Sequence, residues 1–368
     1  DINGFAVALT STTTPPVCTP ESTTTTCSGK CGTQTNNCGT SVSCGACQST
    51  PTGTDDMVVL YYNNFEQNTI GTDDYKDDWY YCQVNPQSSI YRNVSDQNST
   101  KIFRQVYPKG SVGLNDTKGF HCDALPTGNL SGRDELYLTY KVKFASDFNP
   151  VLGGKMPRLE GRSSLVSYES YTGNCPNGTD FFTSGMMFKS ANPGIYPVFY
   201  LYYPDQWNAE YYRNIYFNKT GTYATSCDQA TSVVGHTYGT TLYWNKVLTP
   251  GQWYTVTERI VLNTPGQKNG FVEGFIDGKL VAQYTGYRFR DIDSFKINWL
   301  DFTGFFGGSG AEWAPVKDEY NYYDDVMVYY YTSGSGEPTG STLSSSSRIL
   351  PIKYPTSSVL SGSATVDL

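Results

Sequence analysis

The sequence predicts an all-β fold: a jelly-roll β-sandwich with a small disulfide-rich module before it and a flexible Ser/Thr-rich tail after it. Short segments rich in aromatic and β-branched residues recur through the centre of the chain, and turn residues bound each one. No long amphipathic helical pattern interrupts them. Tyrosine accounts for 31 of the 368 residues, a density typical of β-rich proteins with amphipathic ring surfaces.

The sequence divides into five segments. Residues 1–17 are a Thr-rich leader, residues 18–47 hold six cysteines, and residues 48–56 form a linker. The β-domain is predicted at residues 57–332. Residues 333–368 are rich in Ser, Thr and Gly, and we expect them to be flexible or O-glycosylated.

Six segments carry the strand signal inside the β-domain. One of them contains "IDGK" between two apolar runs, which predicts a hairpin turn. Many short strands in one domain of this length predict two packed sheets. The segments are "MVVLYYNNFEQ", "ELYLTYKVKF", "YPVFYLYYP", "GQWYTVTERIVLN", "GFVEGFIDGKLVAQY" and "YYDDVMVYYY".

The ten cysteines predict disulfides. Six of them lie within thirty residues, a spacing that predicts a small disulfide-stapled module whose connectivity the sequence leaves open among fifteen possibilities. The C-x-x-C at Cys44 and Cys47 could instead bind zinc, but no histidine lies nearby. For the remaining four we expect the pairs Cys82–Cys122 and Cys175–Cys227.

Six N-x-S/T sequons predict N-glycosylation in the secretory pathway, which agrees with the disulfides. We therefore expect a secreted protein, extracellular or in the cell wall, and interpret the start at Asp1 as a mature form. The sequon asparagines are Asn93, Asn98, Asn115, Asn129, Asn177 and Asn218.

The formal net charge of −8 argues against nucleic acid as a partner, since binding phosphates requires clustered Lys and Arg. No apolar run reaches the length of a membrane span, so no membrane association is expected. We expect a monomer.

Three kinds of chemistry are compatible with the residues present. The first is a Ser-His-Asp triad that uses His121 or His236, although no G-x-S-x-G elbow appears. Two histidines are too few for a three-histidine metal site, and structural roles are the default for both, His236 having the better claim to function. A glycoside hydrolase needs two convergent carboxylates, for which Glu258, Glu273 and Asp277 are candidates. The third possibility is β-elimination on an acidic polysaccharide.

Elimination requires a cation to neutralise the uronate carboxylate, a base to remove the α-proton and an acid to protonate the leaving oxygen. Lys155, in "GGKMP", can supply the cation. Tyr200 and Tyr202 in "YLYYP" are two residues apart, so both side chains point to one face of a strand. In a chain with 31 tyrosines such a pair also arises without function.

The segment from Asp301 to Tyr330 resembles the closing motif of polysaccharide lyase family 14, whose members include alginate and glucuronan lyases with a β-jelly roll. The matching pieces are "FFGGS" at 305–309, "WAP" at 313–315 and "YYDD" at 322–325. "GGKMPRLEG" is similar to the family's lysine segment, and "YLYYP" is similar to its tyrosine strand. The resemblance covers roughly residues 57–331. It implies Lys155 as the residue that neutralises the carboxylate and Tyr200 and Tyr202 as the acid–base pair, with no redox cofactor required.

One departure from the family pattern concerns charge. The family has an arginine before the tyrosine strand, whereas "FTSGMMFKS" has Gly185 there. Since lysine does not reproduce the bidentate geometry of arginine, the lost clamp needs another source, and Arg158, Arg162 or Lys189 could supply the charge from a new position. The candidate substrate-binding residues are Arg158, Lys189, His236 and Trp244.

A structural calcium is a further hypothesis. "NNFE" and "YYDD" lie on segments near the two ends of the β-domain, and such strands are often neighbours in a jelly roll. Glu66 and Asp324 or Asp325 could then share a calcium ion through carboxylate oxygens. Solvated acids at strand ends are the alternative.

Three functions therefore remain open: a lyase that cleaves a β-1,4-linked uronan, a non-catalytic carbohydrate-binding protein on the same scaffold, and a glycoside hydrolase that uses Glu258 and Glu273. Their products differ: an unsaturated sugar, an intact polymer and new reducing ends, respectively.

Overall fold

Two antiparallel β-sheets pack face to face in the larger of two compact units of the computed structural model, and confirm the predicted β-sandwich. The units comprise Asp1–Asp55 and Asp56–Leu368. The structure describes residues 18–27, 33–43, 57–72, 79, 81–92, 101–113, 118–124, 132–163, 173–208, 210–235, 238–308 and 310–332.

The smaller unit contains a short helix and a two-stranded hairpin. The disulfide Cys18–Cys38 links the start of this unit to the hairpin turn. Its elements are α1 (Thr23–Cys27), β1 (Thr33–Thr35) and β2 (Ser41–Ser43).

The first sheet of the larger unit, here called the site sheet, has the strand order β12-β11-β10-β9-β16-β7-β4. All its neighbouring strands are antiparallel. Its strands are β4 (Tyr81–Val84), β7 (Phe120–Ala124), β9 (Gly154–Arg162), β10 (Phe181–Ser190), β11 (Ile195–Tyr202), β12 (Thr240–Tyr243) and β16 (Trp299–Gly304).

The second sheet, here called the backing sheet, has the order β15-β14-β13-β8-β17-β6-β5, and the far half of β17 also pairs with β3. Its strands are β3 (Met57–Asn63), β5 (Ser89–Arg92), β6 (Lys101–Tyr107), β8 (Glu135–Phe144), β13 (Trp253–Val261), β14 (Gly270–Ile276), β15 (Lys279–Tyr287) and β17 (Glu319–Tyr331).

The core lies between the sheets because alternate residues of each strand are apolar and point inward. In β8, for example, the buried residues Leu138, Tyr140 and Val142 alternate with less buried ones. Trp79 stacks on Phe302 with ring centroids 4.9 Å apart. Such interdigitated rings fill the space between the sheets and fix the strands that carry the site.

The structure also contains two short helices that the sequence analysis did not predict, α2 (Glu210–Thr220) and α3 (Cys227–Val234). They follow the end of β11 and pack around Tyr216 and Ala230. The Ser226 side chain caps α3 by accepting a hydrogen bond from the Gln229 backbone N–H. None of the helices in the described part of the chain is both long and apolar enough to cross a bilayer.

Both disulfides predicted for the β-domain are confirmed. Cys82 of β4 lies directly opposite Cys122 of β7, and Cys175 joins the N-terminal end of α3 through Cys227. Of the sequon asparagines, Asn177 and Asn218 are exposed, while Asn93, Asn98, Asn115 and Asn129 lie outside the described residues.

Candidate active site

The candidate site lies on the face of the site sheet that points away from the core. Strand register brings its parts together: Lys155 lies opposite Met187, Gly185 opposite Tyr200, and Thr183 opposite Tyr202. Because these pairs occupy adjacent strands and the same face, the predicted lysine and both predicted tyrosines converge.

Lys155 is half-buried against the tyrosine strand. Its Nζ lies 3.7 Å from the centroid of the Tyr200 ring and 3.1 Å from Met187 Sδ. Burial lowers the pKa of Lys155 well below its usual value, and the charges of Arg158 and Lys189 lower it further. A carboxylate placed beside this ammonium would restore the charged form, since an opposite charge favours ionisation.

Tyr200 and Tyr202 form an edge-to-face pair with ring centroids 5.5 Å apart, and each is only 6% exposed. Burial raises the pKa of both phenols, and that of Tyr200 rises further through the charge of Tyr202 and the hydrogen bond that the two hydroxyls share. The same bond, backbone groups of Gly173 and Gly239, and the charge of Arg158 all lower the pKa of Tyr202. Of the pair, Tyr202 has the better stabilised phenolate.

A buried ion-pair network extends from this pair across β9, β16 and β7. Arg158 Nε lies 2.5 Å from a Glu160 carboxylate oxygen, and its Nη2 lies 2.6 Å from Asp301. The other Glu160 oxygen accepts from Arg162 at 2.6 Å. Each cation thus meets a carboxylate, which offsets the cost of burying charge.

His121 completes the network on β7. Its Nδ1 lies 2.9 Å from Asp301 and its Nε2 lies 3.1 Å from Asp123. Burial alone would lower the pKa of His121, but Asp301 and Asp123 outweigh burial and raise it to about 10. Burial would likewise raise the pKa of Asp301, yet Arg158 and His121 hold it at about 2. The buried imidazole is therefore protonated near neutral pH.

His121, Asp123 and Asp301 are also the one trio in the described ranges whose donor atoms lie close enough, within 4.8 Å, to hold a metal ion. The carboxylate oxygens of the two aspartates already have partners. Arg158 contacts Asp301, and Trp299 Nε1 donates to Asp123 at 2.7 Å. This donor set suits a closed ion-pair network better than a metal centre.

The two other predicted cations lie near Lys155. A Cβ built on Gly185 would lie 2.6 Å from the Tyr200 carbonyl oxygen and 3.7 Å from Arg158 Cδ, so the Arg158 side chain passes beside the glycine. Lys189 Nζ lies 4.6 Å from the centroid of the Trp313 ring. Both cations are largely buried, with 9% and 4% of their surface exposed.

Trp244 does not belong to the site, and the prediction that it binds substrate is wrong. Its side chain is fully buried between the sheets, where it packs against Phe199 and fills the space above Gly274. His236, the other candidate from this region, lies outside the described residues.

The carboxylates considered for hydrolysis do not converge either. Glu258 is fully buried and faces the core from β13, where it meets Ser184 and the backbone of Leu159. Glu273 lies on the opposite face of the backing sheet and binds Arg259 at 2.9 Å. Burial raises the pKa of Glu258 well above its usual value, so it is a neutral acid inside the core.

The acids proposed for calcium lie at the β3–β17 pair and are engaged by other groups. Asp325 accepts from Tyr62 at 2.7 Å and pairs with Lys141 at 2.6 Å. Glu66 accepts from the Lys101 backbone at 2.8 Å. Burial and Asp325 raise the pKa of Asp324 to about 7. The three acids are not a close trio of donor atoms within the described ranges, and calcium here stays a prediction.

The network acids and Trp299 were missed by the sequence reasoning, because they come from three strands far apart in sequence, whereas Arg162 was among the candidate replacements for the family arginine. Asp301 did stand at the head of the closing motif. A charged residue inside a strand of apolar neighbours was the available signal, since a buried charge needs a partner.

The family model described as Polysaccharide lyase 14 matches residues 95–326. No curated protein sequence matches the chain.

Among solved structures, the marine PL-14 alginate lyase from Aplysia kurodai has a TM-score of 0.55 and 21% identity, over 74% of this chain and 98% of that one. Alginate lyase Aly36B has a TM-score of 0.53 and 22% identity, over 73% and 95%. A variant of Aly36B in complex with alginate tetrasaccharide has a TM-score of 0.51 and 20% identity, over the same shares. At these identities the likeness concerns the fold.

Proposed function

The chain belongs to the polysaccharide lyase 14 family, and from that premise we propose that it cleaves an acidic β-1,4-linked uronan by β-elimination. The observation that carries the proposal is the convergence of Lys155, Tyr200 and Tyr202 on one face of the site sheet, with Arg158 beside them. A lysine and two coupled phenols are the groups that elimination requires.

In the proposed reaction the uronate carboxylate lies at Lys155. The substrate restores the lysine's positive charge, and that charge stabilises the carbanion-like charge that develops as the C5 proton leaves. Because the pKa of Lys155 is low in the free site, protonation of Lys155 depends on the substrate's carboxylate. A neutral sugar would leave the lysine in its less charged form.

Tyr202 is the proposed base. Burial raises the pKa of Tyr202, but the Tyr200 hydroxyl, backbone groups and Arg158 oppose that rise, so Tyr202 reaches the phenolate form that accepts the C5 proton more readily than Tyr200 does. The electrons of the C5–H bond form the C4–C5 double bond while the C4–O bond breaks. Tyr200, hydrogen-bonded to Tyr202, is placed to give its proton to the leaving oxygen. The proton that Tyr202 took from C5 then passes along that hydrogen bond to Tyr200, which restores both groups.

The substrate class follows from the same groups. The solved relatives include alginate lyases, one in complex with an alginate tetrasaccharide, so alginate is the first candidate and glucuronan the second. The disulfides and the exposed sequons at Asn177 and Asn218 support action outside the cell.

A carbohydrate-binding protein without catalysis is the second candidate. Arg158 is already paired with two buried carboxylates, so its charge is largely balanced before a substrate arrives. If Lys155 alone cannot activate the C5 proton, the same face would hold a uronan without cleaving it.

The test is ultraviolet absorbance of the protein mixed separately with polymannuronate, polyguluronate and glucuronan. We expect absorbance from the new double bond with at least one polymer. Lys155→Ala and Tyr202→Phe should each lower the rate by at least about a hundredfold, since a positioned acid or base contributes that much or more.

Glu258→Gln is the matched control because glutamine mimics the neutral acid found in the core. It should retain elimination. New reducing ends without absorbance, lost in Glu258→Gln, would instead support hydrolysis, and an intact polymer in every mixture would leave the binding candidate.

A further inference from the structure

The outward face of the backing sheet carries a row of aromatic and basic side chains in direct cross-strand register. Trp253 of β13 lies opposite Lys143 of β8, Lys143 lies opposite Tyr322 of β17, and Tyr322 lies opposite Arg104 of β6. All four are partly exposed. We call these four residues the outer-face row.

Contacts within the row hold the cations beside rings. Lys143 Nζ lies 5.2 Å from the centroid of Trp253 and 5.3 Å from that of Tyr322, within reach of a cation–π interaction with each. The Arg104 guanidinium lies 5.7 Å from the ring of Tyr320, the next outward residue on β17. Lys143 thus lies beside both rings of the row, and Arg104 lies beside a ring next to it.

The adjacent lysine shows a different arrangement. Lys141, two residues from Lys143 on the same outward face, forms a 2.6 Å ion pair with Asp325. Its charge is offset by that carboxylate. Lys143 and Arg104 lie beside rings, and Arg104 also donates to the Gln87 carbonyl oxygen at 3.5 Å. The row thus carries two cationic side chains in a chain whose net charge is −8.

The spacing of the row suits an extended sugar chain. Neighbouring strands are about 4.8 Å apart, which is close to the advance per pyranose unit of an extended 1,4-linked polysaccharide. Aromatic rings pack against the apolar faces of sugars, and Arg or Lys pairs with carboxylates. Rings and cations alternate on successive strands. They therefore match a polymer in which every unit has an apolar sugar face and a carboxylate.

We propose that the outer-face row binds a second stretch of acidic polysaccharide, apart from the catalytic face. The ligand class rests on the proposed function, while the site itself rests on the register and contacts above. The two sheets are stacked about 10 Å apart, so one straight segment cannot occupy both faces. Binding on the backing sheet would raise the local concentration of polymer at the site sheet.

The test separates binding from turnover. In full-length protein carrying Lys155→Ala, the affinity for polymannuronate, polyguluronate and glucuronan is measured by affinity electrophoresis. Lys143→Gln combined with Arg104→Gln should weaken binding of the preferred polymer on the order of tenfold, the loss expected for removing a charge-assisted hydrogen bond. Trp253→Phe and Tyr322→Ala, made separately, test the rings.

The control is Lys246→Gln combined with Lys279→Gln, two exposed lysines outside the row that remove the same amount of charge. It should leave the affinity unchanged. In protein with Lys155 intact, the charge variant should retain the turnover number on a tetrasaccharide.

Unchanged polymer affinity in the row variants, or an equal loss in the control, would overturn the proposal. The two proposals fail separately. Absence of an ultraviolet product rejects elimination while the affinity measurements still decide on the row, and elimination with unaltered binding rejects the row alone.

Discussion

Single residues in the site depend on partners from other strands for their charge. His121 is the clearest case, since Asp123 and Asp301 keep it protonated at neutral pH. Its folded pKa of about 10 exceeds the usual 6.5, so the folded state holds a proton that the unfolded chain releases above pH 6.5. The resulting stabilisation is complete below pH 6.5 and is lost as the pH rises to about 10.

This difference predicts the pH dependence of stability. Between about pH 7 and pH 9 the free energy of unfolding should fall by about 1.4 kcal/mol per pH unit from this residue. Urea denaturation at several pH values measures the slope. His121→Gln should be less stable near neutral pH and should show a shallower slope. Equal slopes in the two proteins would contradict a charged imidazole.

Residue-scale prediction from sequence succeeded where one strand carried the signal. Tyr200 and Tyr202 share a face because they are two apart in one strand, and Lys155 was marked by its glycine turn. Glu160 and Asp301 could not be linked to Arg158 in the same way, since the contacts arise from strand order. Trp244 failed because a tryptophan next to a predicted site is equally suited to the core.

At the scale of elements, the β9–β10 pair contains a bulge that shapes the site. The register shifts between Ser184 and Met186, where two residues of β9, Pro157 and Arg158, face Gly185. Proline cannot donate to the ladder, which favours a bulge here. The bulge places Arg158 on the site face beside the glycine.

Gly185→Ala tests this arrangement. The added Cβ would lie 2.6 Å from the Tyr200 carbonyl oxygen, so β10 and β11 must separate locally. We expect a loss of about 1–3 kcal/mol in the free energy of unfolding, together with reduced turnover, because overpacking displaces neighbouring backbone.

Ser190→Ala, at the exposed end of the same strand, is the control and should change neither quantity. Wild-type stability and turnover in Gly185→Ala would show that β10 and β11 accommodate a side chain without cost.

Strand prediction was accurate where apolar alternation was strong. "ELYLTYKVKF" coincides with β8, and the "IDGK" turn joins β14 to β15. The helix α2 was missed because "EYYRNIYFNKT" is polar and tyrosine-rich, a composition that also suits strands and loops. Its packing depends on contacts with α3 that no local pattern reports.

On the whole-molecule scale, the two-sheet architecture followed from strand number and length, but the strand order did not. β17 pairs with β3, β6 and β8, which lie far away in sequence. Turn residues and periodicity specify where a strand is, whereas these pairings depend on how the whole core packs.

The calcium hypothesis also concerns the whole molecule, because such an ion would join β3 to β17. It predicts a lower melting temperature in the presence of a chelator than in its absence. The measurement is a thermal melt near neutral pH, with Asp324→Asn as the variant that should abolish the difference. Identical melts of the wild-type protein would exclude the ion, and Lys141 and Tyr62 would then be the partners that hold Asp325.

The position of Arg158 beside Gly185 has a consequence for how such chains are recognised. A search pattern that demands an arginine in the column of Gly185 would discard this chain as degenerate. The Arg158 side chain nevertheless passes through that neighbourhood from the adjacent strand, its Cδ lying 3.7 Å from where a side chain on Gly185 would begin. In a sheet, a functional group can therefore keep its place on the surface while the residue that carries it moves to a neighbouring strand. A single alignment column does not show such a change.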